Sequence, residues 1–327
     1  MPKRIVDLRD EVPLLDIVSY GRAFHPTPAQ RHQIALTVRR VPEVMVRVTG
    51  GARTLAGVRQ HMSYVGREGK LGLETDMGER LDGEGFARKL TEDWDLEIDA
   101  HPQQTERAIR VRKPPKLVHN VFFSMPPGAA PVKVLKAVRK LALNEWQLKH
   151  RYAMVLHTDQ DHPHVHVVIK ALSEQGKRLN IRKATLRSWR KQFADNLREL
   201  GVAANATERA VRGQTRTHKS SGIYRAAQRQ DSTHMRERQA QVLREAELPS
   251  RPPDPGDADM HRTRQGVVAG WRDVESRLRD RGDHELADDV RTFVERMPPV
   301  QTEKAMLAER VLGRTRRRWI DPPDRTR

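Results

Sequence analysis

The segment from residue 152 to 171 constrains this chain most, because its alternation of side chains suits one local geometry. In His157-Thr-Asp-Gln-Asp-His162-Pro-His164-Val-His166-Val-Val-Ile169, residues two apart on a strand share a face. His164 and His166 therefore project together, while Val165, Val167 and Ile169 point the opposite way into a core. Residues 152–157 read as the preceding strand and residues 158–162 as a short polar hairpin loop. Such a hairpin brings His157 to the point where His164 and His166 converge.

The chain contains no cysteine, so a tight metal site must be built from His, Asp and Glu. Three neutral imidazoles leave the full charge on a divalent ion and keep positions open for substrate oxygens, as catalysis requires. Asp159 and Asp161 are placed to hold an imidazole by its second nitrogen, and Asp159 is the preferred one. His162 falls off the shared face. The competing reading, in which these rings only pack or hydrogen-bond, suits a lone histidine better than four within ten residues.

Charge points to the partner. The 327 residues carry 61 Lys and Arg against 43 Asp and Glu, a formal net charge of +18, which favours a polyanion and nucleic acid first. A membrane is disfavoured, since no stretch approaches the ~18 consecutive apolar residues of a spanning helix and no amino-terminal run resembles a signal peptide. A cytoplasmic protein without membrane insertion is expected.

Elsewhere, periodicity outlines the elements. Residues 44–48 suggest a strand, Gly50-Gly51 a turn, and Thr54 the N-cap of a helix striped by Leu55, Val58, Met62 and Val65. A second helix is expected over 86–96 and a strand over 117–125, ended by Pro126-Pro127-Gly128. Val132, Leu135, Val138, Ala142 and Trp146 mark the buried face of another helix, and Leu186, Trp189, Phe193 and Leu197 that of one more. The order is β, α, α, β, α, β, β, α. Residues 1–41 read as an extension without a core of their own, 42–225 as the catalytic domain, 226–250 as a charged helical connector, and 251–327 as a small helical region. The last opens on the linker 251–256 and carries a basic cluster at 314–319, with short helices expected over 267–281, 284–297 and 302–313.

Tyr64 lies off the apolar stripe of its helix, so its hydroxyl is not expected in the core. Arg67 and Lys70 follow it, suited to a phosphodiester, and Gly66 and Gly69 allow close backbone approach. A tyrosine hydroxyl has an unperturbed pKa of about 10, so attack on phosphorus at neutral pH needs a base, a cationic setting, or both.

With both segments in hand, residues 44–225 resemble the P-type mobilization relaxases, the single-tyrosine HUH endonucleases that include the T-DNA border nuclease. HTDQDHPHVHVVIK is similar to that family's third motif, YVGREGKLGLE to its first, and Phe123-Ser124-Met-Pro-Pro-Gly to its second. The resemblance implies an α+β fold, a central antiparallel sheet with helices on one face and a DNA cleft on the other. It implies Tyr64 as nucleophile, His157, His164 and His166 as ligands of a divalent metal such as Mg or Mn, and Asp159 as an orienting or proton-accepting carboxylate. Arg67, Lys70 and Ser124 would contact DNA. Metal-dependent nicking of one strand at oriT would leave a 5′-phosphotyrosyl adduct that can be religated after transfer. The partners implied are oriT single-stranded DNA, accessory relaxosome proteins and a type IV coupling protein, with the enzyme travelling from the donor cytoplasm alongside its strand. The stretch 212–225 looks familiar too, with no role assigned.

Three rival readings remain. A replication initiator of the same superfamily shares the chemistry, but the motif order favours the transfer enzyme. The run 162–168 can be aligned with the histidine-triad nucleotide hydrolases, although Pro163 is out of place there and the basic tyrosine segment has no counterpart. A non-catalytic DNA-binding relaxosome protein fits the charge equally well.

Overall fold

A computed structural model describes residues 26–97, 114–214, 233–246, 256–302 and 304–310. The chain forms two compact units, residues 40–206 and a second unit assembled from residues 1–39 together with 207–327.

The 40–206 unit is α+β, built on a six-stranded open sheet. Its strands are β1 (Met45–Gly50), β2 (Leu73–Thr75), β3 (Arg80–Leu81), β4 (Val118–Ser124), β5 (Tyr152–His157) and β6 (His164–Lys170). They lie in the order β1-β4-β6-β5-β2-β3, every neighbour antiparallel. The expected hairpin is β5-β6, in which His157 pairs with His164 and Val155 with His166.

Alternation gives the sheet two different faces. Val46, Val121, Phe123, Tyr152, Met154, Val165, Val167 and Ile169 fill the first, beneath α4 (Pro131–Glu145) and α5 (Lys183–Glu199). Trp146, Trp189, Phe193 and Leu197 complete this core, with ring pairs Trp146–Trp189 at 5.2 Å and Phe123–Phe193 at 5.4 Å. Burying several such rings contributes the largest favourable term, about 25 cal/mol per Å² of apolar surface. Val132 departs from expectation: it is 60% exposed, and Val134, Ala137, Val138, Leu141 and Ala142 form the buried stripe. Two residues of separation on a helix turn a side chain about 200°, so Val132 stands opposite Val134.

Among the described residues of this unit, two helices cover one end of the second face. There Val118, Ala153, Val155 and Val168 lie under α2 (Leu55–Val65) and α3 (Phe86–Asp93), packed by Val58, Met62, Val65, Phe86, Leu90 and Trp94. Thr54 caps α2, its hydroxyl accepting from the Gly57 amide at 3.2 Å. The rest of this face carries the histidines. The β2-β3 hairpin was not foreseen, because three-residue and two-residue strands are too short to show alternation. It extends the sheet past β5 and is tied down by Arg139 to Glu74 (2.5 Å) and Arg151 to Asp76 (2.7 Å).

In the other unit α1 (Pro28–Val38) opens on a reciprocal Thr27–Gln30 capping box. Its Ile34 and Val38 share a core with Trp271, Val274 and Leu278 of α7 (Asp257–Asp280) and Leu286, Val290 and Phe293 of α8 (His284–Glu295). The Trp271 indole donates to the Val211 carbonyl at 2.8 Å. Helix α7 starts ten residues before the expected 267, since its first three turns present polar residues and leave no apolar stripe to read. α6 (Thr233–Ala246) is poor in core, Val242 packing with Leu307 and Ala308 and the half-buried Met235 lying against them. The basic cluster 314–319, most of the linker 251–256 and most of the stretch 212–225 lie outside the described residues. Among the described residues, no helix is long and apolar enough to cross a membrane.

Candidate metal and nucleophile site

The three histidines meet on the second face of the sheet through strand pleat and register alone. One ligand nitrogen from each of His157, His164 and His166 lies within 4.8 Å of the other two. His157 and His164 are buried and His166 is partly so. His162 is exposed; its carbonyl oxygen, not its ring, serves the site by accepting from His164 Nδ1 at 2.9 Å. A carbonyl can only accept, so His164 carries its proton on Nδ1 and offers Nε2 as a ligand. The same logic fixes His157, whose Nε2 donates to the Val65 carbonyl at 2.6 Å and leaves Nδ1 free. Backbone carbonyls thus orient two of the three rings, as outer partners of metal ligands commonly do.

Two of the imidazoles, His157 and His166, are held toward the neutral form. Burial pushes His166 down to about 3, helped by the neighbouring His157, His164 and His61 rings and by Arg67. Burial also lowers His157, against the opposing hydrogen bond to Val65. Preset tautomers and close spacing fit a divalent ion, and these three residues are the ones that would hold it.

Helix α2 presents Tyr64 at the same place. Its Val65 carbonyl docks on His157, and Tyr64, 61% exposed, lines a cleft of about 570 Å³ with Arg67, Lys70, His157 and Asp159. The guanidinium of Arg67 lies 5.8 Å from the Tyr64 ring centroid and also pairs with Asp159. Desolvation pulls the Asp159 carboxyl up, but the Arg67 charge and a backbone hydrogen bond override it and hold the group below its usual range. Asp159 Oδ1 is 4.0 Å from His157 Nδ1, too long for a hydrogen bond, so Asp159 faces the tyrosine cleft and orientation of His157 falls to Val65.

The tight turn after α2 has a packing reason. A Cβ on Gly66 would stand 2.7 Å from Phe86 Cζ, and one on Gly69 (φ +86°) 2.3 Å from the Gly83 carbonyl oxygen. The close approach allowed by these glycines is to α3 and the loop before it. Ser124 sits beside His164 on the same face, but it is 5% exposed and its hydroxyl donates to the Met125 carbonyl at 3.3 Å.

Two residues were not anticipated. His61, one turn before Tyr64, has its ring 6.4 Å from the Tyr64 ring, its Nε2 buried without a hydrogen-bond partner among the described residues, and an electrostatic influence on His166. Its three-residue offset from Tyr64 was the available signal. Phe122 packs its ring 4.9 Å from His164 and 5.3 Å from His166; its two-residue offset from Ser124 places it on the same face.

Residues 69–202 match the family described as relaxase, the MobA/VirD2-like nuclease domain. That match falls within the 40–206 unit. The match takes in the three histidines, Asp159, Lys70 and Ser124, and begins just after Tyr64 and Arg67. Among curated relatives, the chain is 26% identical over 186 residues to the T-DNA border endonuclease VirD2 of Rhizobium radiobacter, covering 52% of this chain and 43% of that protein. It is 25% identical over 209 residues to VirD2 of Agrobacterium fabrum (strain C58), covering 59% of this chain and 46% of the relative. The aligned part of this chain therefore spans less than half the length of these relatives.

Proposed function

We propose that this protein is a DNA relaxase that nicks one strand by transesterification through Tyr64. The observation that carries the reading is that an exposed tyrosine, Arg67 and Lys70 line one cleft with His157, itself a member of a three-imidazole cluster, where the match to the relaxase nuclease family begins. His157, His164 and His166 would hold a divalent ion, Mg or Mn, and that ion would supply Lewis-acid charge to the reacting phosphate. Tyr64 Oη forms a bond to phosphorus as the bond to the 3′-oxygen breaks. The tyrosine proton passes to Asp159, and the departing 3′-oxygen takes a proton to become a hydroxyl. Arg67 and Lys70 hold backbone phosphates, and Ser124 lies next to the nick. The phosphodiester energy stays in the 5′-phosphotyrosyl bond, so the free 3′-hydroxyl can reverse the step and reseal the strand.

The biological setting we infer is conjugative or mobilizing transfer of a plasmid or integrative element. oriT single-stranded DNA is the substrate, and accessory relaxosome proteins and a type IV coupling protein are the partners. The likeness to the T-DNA border endonucleases supports this. The direct test incubates single-stranded oriT DNA with Mg or Mn and seeks a denaturant-resistant protein–DNA adduct. The adduct is expected in the wild type and absent with chelator or in Tyr64→Phe; its survival in Tyr64→Phe overturns the assignment.

A further inference from the structure

We propose that Arg47, held over the ring of Phe122, is a phosphate-binding residue for the single strand entering the three-histidine site. The inference rests on the relaxase reading above and adds to it a residue on the opposite flank from Arg67.

The placement follows from pleat and register. β1 is an edge strand, and Val44 and Val46 turn into the core under α4 and α5. Met45, Arg47 and Thr49 therefore stand on the second face, and all three are exposed. Cross-strand pairing puts Arg47 opposite Phe122, and Phe122 opposite His166, so the three form one row leading to the histidine cluster. The Arg47 guanidinium carbon lies 5.7 Å from the Phe122 ring centroid. That ring is itself wedged against His164 and His166.

Among the described residues, no carboxylate pairs with Arg47. Elsewhere in the unit Arg139 is neutralised by Glu74, and Arg151 by Asp76 and Asp93. An arginine resting on an aromatic uses the face of its guanidinium and keeps the N–H edge for a planar, bidentate acceptor such as a phosphodiester. Phe122 also removes part of the freedom the long side chain would otherwise lose on binding. A site flanked by Arg67 on the α2 side and Arg47 on the β1 side suits a chain of phosphates laid across the sheet, perpendicular to the strands.

The experiment measures affinity of the full chain for single-stranded oligonucleotide over a series of salt concentrations, with Mn binding by calorimetry and thermal unfolding as controls. Arg47→Ala is expected to weaken binding roughly tenfold to a hundredfold. It should also flatten the slope of log affinity against log salt by about 0.7, the share of one phosphate on a single strand. Arg47→Lys should keep the slope and recover only part of the affinity. Phe122→Leu should lose affinity with Mn binding retained. Unchanged affinity and slope in Arg47→Ala, while the wild type binds and nicks, overturns the Arg47 assignment alone. Equal loss in Arg47→Ala of Mn binding or melting temperature would make the residue structural and overturn it too. A wild type without salt-dependent binding to single strands overturns the relaxase reading and this inference with it.

Discussion

At the scale of single residues, the site is governed by who holds whose proton. Val65 and His162 offer carbonyls that force the protons of His157 and His164 onto the nitrogens facing away from the cluster, and burial keeps His166 neutral down to about 3. Asp159 is left to the tyrosine side, ionised and paired with Arg67. If it accepts the Tyr64 proton, Asp159→Asn should slow adduct formation about 10²- to 10⁴-fold in single-turnover assays while Mn affinity stays near wild type. A large loss of Mn affinity would instead assign Asp159 to the ligand shell. His119, away from the site, provides a test of pH dependence. Burial, and next the Lys116 charge, push it down to about 4 from 6.5. Between those values the unfolded chain binds a proton that the folded chain refuses, so stability falls as pH drops from 6.5 toward 4 and is flat above. Melting curves of His119→Gln should show a shallower acid decline than the wild type across that window.

Elements reach the site through backbone constraints as much as through side chains. The turn after α2 holds Arg67 and Glu68 at positive φ (50° and 57°) and packs Gly69 against Gly83, which aims Arg67 at Asp159. Gly69→Ala combines a disfavoured backbone conformation with a collision against backbone. It should destabilise the unit by several kcal/mol and displace Arg67, seen as lower melting temperature together with slower nicking. Phe123 sits at the centre of the opposite face, fully buried between Trp146 and Phe193. Phe123→Ala should cost about 3–5 kcal/mol in denaturant unfolding, and its neighbour Phe122, on the other face, should not behave alike. Both helices and strands of this layer were legible from their periods, because each buries one face against a continuous core. The β2-β3 hairpin and the first turns of α7 were not, since the former is too short to alternate and the latter buries almost nothing.

For the whole molecule, the division into units cuts across the order of the chain. The segment before β1 contributes α1 to a helical core with α7 and α8, sealed by Ile34 and Val38 against Trp271 and Phe293 and edged by Arg39 with Glu285 and Asp289. A truncation from Pro252 onward would strip the cover from α1, so the informative cut keeps residues 40–206. That fragment is expected to unfold cooperatively and to bind Mn like the full chain; non-cooperative melting would show that the sheet unit depends on the helical one. The sequence by itself determined the chemical face of the hairpin. Alternation with period two and the lack of cysteine single out His157, His164 and His166 as the candidate ligand set, and an off-stripe tyrosine beside cations marks the candidate nucleophile. Only the tertiary structure decided what orients the rings, what covers the second face, and which residues flank the cleft. Val65, Phe122, Arg47 and α1 act through cross-strand register and long-range packing, and those contacts leave no local period in the chain.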